Sequence, residues 1–240
     1  MYLTWIAGAG IVAAASFVFG LTGFGIGLVA LSLLPFLLPP ATVVPLVIIY
    51  GTVFALAMTI QLRREVVWPY LPALLLGSLL GTPAGVWVLA ALPADTLKRL
   101  IGLMLLAIVL IEWCGAYPQK LSGRRWGLGA GVLSGLLGGA IATPGPPVIL
   151  YVVAQGWQPR AIKATLQAFF FVNQTMILIG HWWAGLVTRE VVWLATTYAL
   201  PASVGFVLGI YLFNRVDQLL FRRLIFVLLF VLGLVLGIHG

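Results

Sequence analysis

Apolar residues fill most of the chain in eight long blocks, and short stretches that hold the charged residues separate them. The blocks are residues 3–38, 41–62, 66–92, 97–115, 126–156, 161–184, 190–213 and 219–238. Nearly all of them reach the roughly 20 residues that an α-helix needs to cross a bilayer. The pattern therefore predicts an all-α polytopic membrane protein.

The composition also indicates a membrane protein. Of the 240 residues, 62% are hydrophobic and 8% are charged, which is more apolar surface than a soluble domain of this size can bury. No basic stretch precedes the first block, so a cleaved signal peptide is not expected. The net charge of +8 comes from Lys and Arg near the block ends, where they meet lipid head groups. The expected partner is therefore the lipid bilayer and not a nucleic acid.

Residue types that carry catalysis or bind metals are scarce. The single Cys114 excludes an internal disulfide, and two histidines do not make a metal cage, so no metal or cofactor is expected. An intramembrane serine hydrolase could use only Ser134 with His181, but no glycine stands two residues before that serine. The His-Glu-x-x-His zinc motif is absent as well. The sequence therefore does not predict an enzyme.

The chain contains an internal duplication, since several short stretches recur in the same order. They are Arg64–Trp68 with Arg189–Trp193, Lys98–Ile101 with Arg222–Ile225, and Gly77 and Gly81 with Gly205 and Gly209. Matches at a nearly constant offset indicate two homologous halves of four blocks each. The predicted repeats are residues 1–115 and 126–240, joined by the polar linker 116–125.

A glycine-rich stretch interrupts the first block of each half. Residues 134–147 hold clustered glycines and prolines, namely Gly135, Gly138, Gly139, Pro144, Pro146 and Pro147. Residues 16–27 repeat the glycines without the prolines. Lipid offers no hydrogen bonds, so a broken helix at membrane depth survives only inside protein or beside water. Two interrupted segments at matching places point to a transport site. The alternative is that the glycines only let helices pack closely.

Blocks one and five are each well above the roughly 20 residues of a single crossing. If each is a re-entrant hairpin, the two halves are inverted, and ten of the 13 Lys and Arg residues lie on the cytoplasmic side. If all eight blocks cross once, the 13 divide seven to six and give no orientation. We therefore favour the inverted repeat, with both termini extracytoplasmic, over the alternative of eight full spans.

Block six carries a row of polar residues on an otherwise apolar helix. Lys163, Gln167, Gln174 and His181 fall within about 40° of one another around the helix. Buried amides need a partner, which is either a neighbouring helix or a substrate. Lys163 could attract an anion or reach the interface, and His181 could carry a proton or sit among interfacial tryptophans. Asn173 points about 80° away and is expected to link helices.

These features resemble the sulfite exporter TauE/SafE family of membrane proteins. The resemblance rests on the paired stretches 16–27 and 134–147, the prolines of the second stretch, the duplicated four-block layout and the chain length. It implies a multi-pass transporter of the bacterial plasma membrane, often for sulfite or organosulfonates. The exact substrate stays open.

The resulting hypothesis is a secondary transporter that exports a small anion through two broken helices that meet near the midplane. Their amides and hydroxyls would replace the hydration shell of the anion. The expected substrate-binding residues are Thr22, Gly23, Gly25, Ser134, Gly138, Gly139, Thr143, Gly145, Lys163, Gln167 and Gln174, with His181 as a proton-coupling site. A non-transporting assembly factor is the main alternative, ahead of the hydrolase. The sequence leaves open the coupling ion and whether the chain forms a homo-oligomer.

Overall fold

The structure, a computed structural model, describes residues 2–114, 123–212 and 218–239. Within these ranges the chain is α-helical with short turns and no β-strand, so the predicted all-α fold is confirmed. The helices are α1 (Tyr2–Thr22), α2 (Ile26–Leu33), α3 (Pro40–Leu62), α4 (Leu71–Ala91), α5 (Ala94–Trp113), α6 (Arg124–Ile141), α7 (Gly145–Val153), α8 (Pro159–Trp183), α9 (Arg189–Thr197), α10 (Ala199–Leu212) and α11 (Gln218–His239). Short 3-10 turns occupy Leu34–Phe36, Arg63–Glu65 and Trp68–Tyr70. Except for its last three residues, the predicted linker 116–125 lies outside the described ranges.

Several of these helices are long and apolar enough to cross a membrane. In the described residues, four candidates are Thr4–Thr22, Pro40–Glu65, Trp68–Ala91 and Pro159–Trp183, and the bent pair α9–α10 makes a fifth if it counts as one span. A helix satisfies its backbone hydrogen bonds internally, as lipid requires. The helices therefore support a multi-pass membrane protein, while the count of eight crossings stays a prediction.

The first predicted interruption is present between α1 and α2. The chain leaves the helix after Thr22 and resumes at Ile26. Gly23 and Gly25 take φ angles of 81° and 92°, in the left-handed region. Glycine adopts this region readily because it has no Cβ. The alternating glycines of the first stretch therefore cause the break without any proline.

The second predicted interruption is also present, but it lies after the glycines of its stretch. α6 stays helical through Gly135 and Gly139 and ends at Ile141, and α7 begins at Gly145. Ala142 takes a left-handed φ of 45°. The prolines that follow lack the N–H groups that a continuous helix needs. The prolines therefore cause this break, whereas the glycines before it serve helix packing.

In the described residues, glycines bring three pairs of helices into backbone contact, namely α4 with α6, α1 with α10 and α5 with α11. A Cβ on Gly81 would collide with a carbonyl oxygen of α6, and a Cβ on Gly135 would collide with one of α4. Gly205 and Gly209 of α10 lie in the same way against carbonyl oxygens of α1. Small residues allow such close approach between membrane helices. The glycines therefore also allow close helix packing, in addition to their part in the breaks.

Block seven contains a bend that its continuous apolar pattern does not predict. Its helices α9 and α10 meet at 52° around Tyr198. Pro201 has no N–H to offer to the carbonyl of Thr197, four residues earlier, and its ring crowds that carbonyl. The Thr197 hydroxyl lies 3.0 Å from the Trp193 carbonyl, a local bond that competes with the regular helix. Pro201 and Thr197 together account for the bend.

The chain divides into two compact units, and each is built from separate segments. The first unit comprises Met1–Val47, Leu92–Ala116 and Thr188–Gly240, and the second comprises Ile48–Ala91 and Tyr117–Val187. In the first unit α1 packs against α10 and α2, and α5 packs against α11. In the second unit α4 packs against α6 and α8, and α7 packs against α6 and α8. Each unit therefore uses helices from both predicted repeats, whose boundaries stay a prediction.

Candidate functional site

Two buried hydroxyl groups close the break between α6 and α7. The Ser134 Oγ donates to the Pro144 carbonyl at 2.5 Å, and the Thr143 Oγ1 donates to the Ile141 carbonyl at 2.9 Å. Both side chains are buried. Each hydroxyl satisfies a carbonyl group that the interrupted backbone leaves unbonded. In this conformation Ser134 and Thr143 hold the break in shape, and they would have to rotate to bind an anion.

His181 of α8 caps the last turn of α6. In a continuous helix the Gly139 carbonyl would accept the N–H of Thr143, but that N–H points to the Leu137 carbonyl at 3.4 Å. The His181 Nε2 lies 2.9 Å from the Gly139 oxygen. Because a carbonyl can only accept, Nε2 carries the proton and Nδ1 is the bare nitrogen. The buried Nδ1 has no hydrogen-bond partner in the part of the chain that the structure describes.

The face of α8 that carries His181 meets the break along its length. Ile177 lies against Gly138, which has no side chain to keep it away. The Phe170 ring lies 3.7 Å from the place where a Cβ on Gly145 would stand. Positions 170, 177 and 181 share one face of a helix. This face is the one that the sequence analysis identified by its polar row.

The glutamines of the polar row lie on the same face and are buried. Gln167 is 1% exposed and Gln174 is 4% exposed, while Lys163 near the start of α8 is partly exposed. The Gln174 amide fills the space beside Gly51 of α3, where a Cβ would collide with the amide oxygen. That oxygen is buried and has no hydrogen-bond partner among the described residues. Gly51 was missed in the sequence because no spacing links it to α8.

Other polar residues of α8 hold the helix against its neighbours. The Ser78 Oγ of α4 donates to the Asn173 Oδ1, and the Val67 N–H donates to the Thr165 Oγ1 at 3.0 Å. The prediction that Asn173 links helices is confirmed. These two bonds hold α8 against α4 and against the segment that precedes α4.

The first break, in the other unit, leaves a buried helix start. The Thr22 Oγ1 lies 2.5 Å from the Phe24 carbonyl and accepts the Phe24 N–H at 3.2 Å. Gly25 then begins α2 without a side-chain cap. Residues 26–28 are buried, and their N–H groups precede the first backbone bond of α2, from Val29 to Gly25 at 3.1 Å. A helix start with unbonded N–H groups is a favourable place for an anion.

The two breaks differ in the hydrogen-bond donors that they offer. All three residues at the start of α2 carry an N–H group. At the start of α7, Pro146 and Pro147 have none, so only Gly145 can donate from the first three positions. The proline-free break therefore has more backbone donors than the proline-rich one.

In each interrupted segment, the end of the segment lies near its beginning. The Tyr151 hydroxyl of α7 lies 3.4 Å from the Gly123 carbonyl, just before α6, and its Cζ lies 3.2 Å from where a Cβ on Gly127 would stand. At the other break, Leu37 and Leu38 line the same cavity of 170 Å³ as the start of α1. Both segments therefore fold back on themselves as hairpins.

A cavity in the second unit does not suit an anion. It has a volume of 580 Å³ and lies between α4 and α8, with Trp87, Ile179 and Trp183 in its walls. Its one hydroxyl, on Thr82, donates to the Ser78 carbonyl at 2.8 Å within its own helix. No group of three His, Cys, Asp or Glu residues that could hold a metal occurs in the described ranges.

The predicted site residues thus fall into two groups, one in each unit. Thr22, Gly23 and Gly25 form the first break. The second unit brings the others to the second break or to the face of α8 that meets it, namely Ser134, Gly138, Gly139, Thr143, Gly145, Lys163, Gln167, Gln174 and His181. Whether these residues bind a substrate stays a prediction.

Comparison with known proteins identifies the relatives of this architecture. A family model described as "Sulfite exporter TauE/SafE" matches residues 7–236. A curated relative, the "Probable inner membrane transporter protein TsaS" of Comamonas testosteroni, is 29% identical over 185 residues, which cover 73% of this chain and 74% of that protein. No solved structure matches the chain.

Proposed function

The chain belongs to the sulfite exporter TauE/SafE family, and we propose that it exports a small sulfur oxyanion such as sulfite or an organosulfonate. It is a multi-pass plasma-membrane transporter and not an enzyme. The relative named a probable inner membrane transporter supports a place in the bacterial inner membrane. The observation that supports an anionic substrate is the buried, uncapped start of α2. There, three N–H groups precede the first backbone hydrogen bond of the helix.

The topology that we propose is an inverted repeat with two re-entrant hairpins, α1–α2 and α6–α7. The Tyr151–Gly123 contact and the cavity shared by Leu37, Leu38 and the start of α1 support it. The distribution of Lys and Arg supports it as well, since ten of the 13 then lie on the cytoplasmic side. Matched glycines with matched packing roles, such as Gly81 and Gly209, support the duplication.

At each break, backbone and side-chain donors would replace water around the anion. In the first unit the donors are the N–H groups of residues 26–28, which Gly23 and Gly25 expose by breaking the helix and Thr22 holds in place. In the second unit they are the Gly145 N–H and the amides of Gln167 and Gln174. Ser134 and Thr143 shape this break, and Gly138 and Gly139 let α8 approach it.

The membrane potential can drive such export without a second ion. When the membrane potential is negative inside the cell, the free energy of a monovalent anion falls by about 2.3 kcal/mol per 100 mV as the anion leaves the cytoplasm. The candidate spans hold no carboxylate at mid-membrane depth, where proton pumps usually carry one. His181 is the remaining candidate for proton coupling, because its bare Nδ1 is buried on the face of α8 that meets the break.

Flux through purified protein tests the function directly. Liposomes that contain the protein are loaded with radiolabelled sulfite, and a potassium gradient with valinomycin sets the potential. We expect saturable efflux that an inside-negative potential accelerates, with competition from sulfoacetate. Efflux no faster than from protein-free liposomes would contradict transport and favour an assembly factor. Chemical conversion of the solute without its movement would favour the hydrolase.

Lys163→Ala tests the proposed approach of the anion to the site. Lys163 lies one turn before Gln167 on the face of α8 that meets the break, and its charge would raise the local anion concentration. We expect the KM for sulfite to rise about threefold or more while the maximal rate changes less. Arg160→Ala is the matched control, because Arg160 is exposed at the start of the same helix. An unchanged KM would remove Lys163 from the site.

A further inference from the structure

A small aromatic pocket with a carboxylate at its edge lies in the first unit. None of the residues that form the two helix breaks lines it. It has a volume of 170 Å³, and its walls include Trp5 of α1, Glu190 and Trp193 of α9, and Tyr198. The rings of Trp5 and Tyr198 stand 5.7 Å apart, centroid to centroid, at 47°. Two rings at this spacing and tilt form a corner, and Trp193 adds a third aromatic wall.

The pocket is formed by helices that are far apart in the sequence, α1 and α9. Glu190 and Trp193 are three residues apart and share a face of α9. The buried Tyr198 lies at the bend after α9 and lines the same pocket. Gly8 of α1 leaves room for the Tyr198 hydroxyl, which would collide with a Cβ at that position. Trp5 is 36% exposed and Trp193 is 55% exposed, so a ligand can still reach their rings.

The chemistry of the pocket selects a cation. Aromatic ring faces attract ammonium groups within about 6 Å, and aromatic cages recognise quaternary ammonium ligands. A carboxylate at the edge of such a cage adds the opposite charge. Glu190 is exposed and forms no salt bridge within the described residues, so its charge is available. The same charge repels anions, which separates this pocket from the proposed export site. The volume of 170 Å³ corresponds to about six water molecules of the liquid.

We propose that this pocket binds an organic ammonium group, primary or quaternary. The group can belong to a lipid head group, since tryptophans of this kind lie at the membrane surface, or to a free amine in solution. The site is independent of sulfite export, because none of the export-site residues lines the pocket. Its volume suits an ammonium head with a short stem.

Choline and its neutral isostere 3,3-dimethylbutanol provide the test. Binding is measured by calorimetry on the full chain in nanodiscs of phosphatidylglycerol, which has no amine. We expect saturable choline binding that is at least about tenfold tighter than that of the isostere, since only choline is charged. Equal affinity for the two compounds, or no choline binding, would overturn the proposal.

The internal repeat supplies matched control variants. Glu190→Gln and Trp193→Leu should each weaken choline binding about tenfold or more. Glu65→Gln and Trp68→Leu change the same pentapeptide at its other copy, and neither residue lines this pocket. These controls should bind choline like the unaltered chain. Equal losses in both sets, or no loss in the Glu190 variant, would contradict a site at Glu190.

A second experiment, with lipids, distinguishes the two sources of the ammonium group. Native mass spectrometry of the protein extracted from mixed bilayers shows which lipids stay bound. Retained phosphatidylethanolamine that the Glu190→Gln variant loses would support the proposal with a lipid as ligand. Choline binding that added phosphatidylethanolamine does not reduce would support it with a free amine as ligand.

Discussion

At the scale of residues, His181 has two roles that its geometry ties together. Its Nε2–H supplies the hydrogen bond that the Gly139 carbonyl loses where α6 ends. Its Nδ1 is buried without a partner among the described residues. Of the elements packed against α8, the helices α3, α4 and α7 contain no Asp, Glu, Lys or Arg, and the two arginines of α6 stand at the opposite end of that helix. The charged turn Arg63–Glu65 packs near the start of α8, at the end away from His181. Uptake of a proton would thus place an unbalanced charge beside the break.

Two substitutions at His181 separate the cap from the proton site. His181→Leu leaves the Gly139 carbonyl unbonded, which costs roughly 1–3 kcal/mol, and we expect sulfite efflux to fall about tenfold or more. His181→Gln keeps an N–H donor and should retain most of the efflux. If His181 also binds a proton, the Gln variant should lose the dependence of efflux on pH between about 5 and 8. Full activity of the Leu variant would exclude both roles.

At the scale of helices, glycine and proline have different tasks in the same stretch. Gly131, Gly135 and Gly139 repeat every four residues, so they form one face of α6 that lies on the backbone of α4. The prolines after Ala142 end the helix because they cannot donate. The breaks were predictable because both causes act locally in sequence. The continuation of α6 through its glycines was not, since it depends on the contact with α4.

Gly81→Ala tests how tightly α4 and α6 pack. The added Cβ would collide with the Val132 carbonyl, which is backbone and cannot rotate away, so the helices must separate. We expect a loss of roughly 1–3 kcal/mol of stability. Gly129→Ala of α6 is the control, since its Cβ would meet nothing within 4 Å, and it should be neutral or slightly stabilising. Detergent unfolding curves measure both, and equal midpoints would contradict backbone contact.

The side-chain contacts of the candidate site show where single-sequence prediction stops. The polar row of α8 was visible because its members share one helix and one period. Its partner Gly51 lies on α3, and the bond of His181 goes to Gly139, 42 residues earlier in the chain. Such contacts depend on how helices pack, and one sequence carries no signal for them. The lining of the aromatic pocket, from α1, α9 and the end of the first hairpin, could not be predicted for the same reason.

At the scale of the whole chain, each compact unit contains helices from both predicted repeats. α1 packs on α10, and α6 packs on α4, so the first block of each predicted half lies on the third block of the other. The matched glycines of α4 and α10 make the two contacts alike. The recurring stretches of the sequence predict a repeat, but they do not predict this exchange, because the spacing of residues does not show which helices pack together.

The proposed hairpins make a prediction about membrane sides that eight full crossings contradict. If α6–α7 is re-entrant, residues before α6 and after α7 face the same side, and the Tyr151–Gly123 contact already joins the two ends. We expect Arg124→Cys and Gln158→Cys, both at exposed positions, to react alike with a membrane-impermeant maleimide. In intact cells both should be protected, since the positive-inside rule places them in the cytoplasm.

The first hairpin gives the opposite outcome in the same assay. Thr4→Cys lies in the first turn of α1 and Pro39→Cys lies after α2, both at exposed positions, and both should react from outside the cell. The background is Cys114→Ser, because Cys114 is the only native cysteine and is exposed. Eight full crossings would put the members of each pair on opposite sides of the membrane. Because each pair is compared within itself, labelling of one member without the other contradicts the hairpin whatever the orientation of the chain.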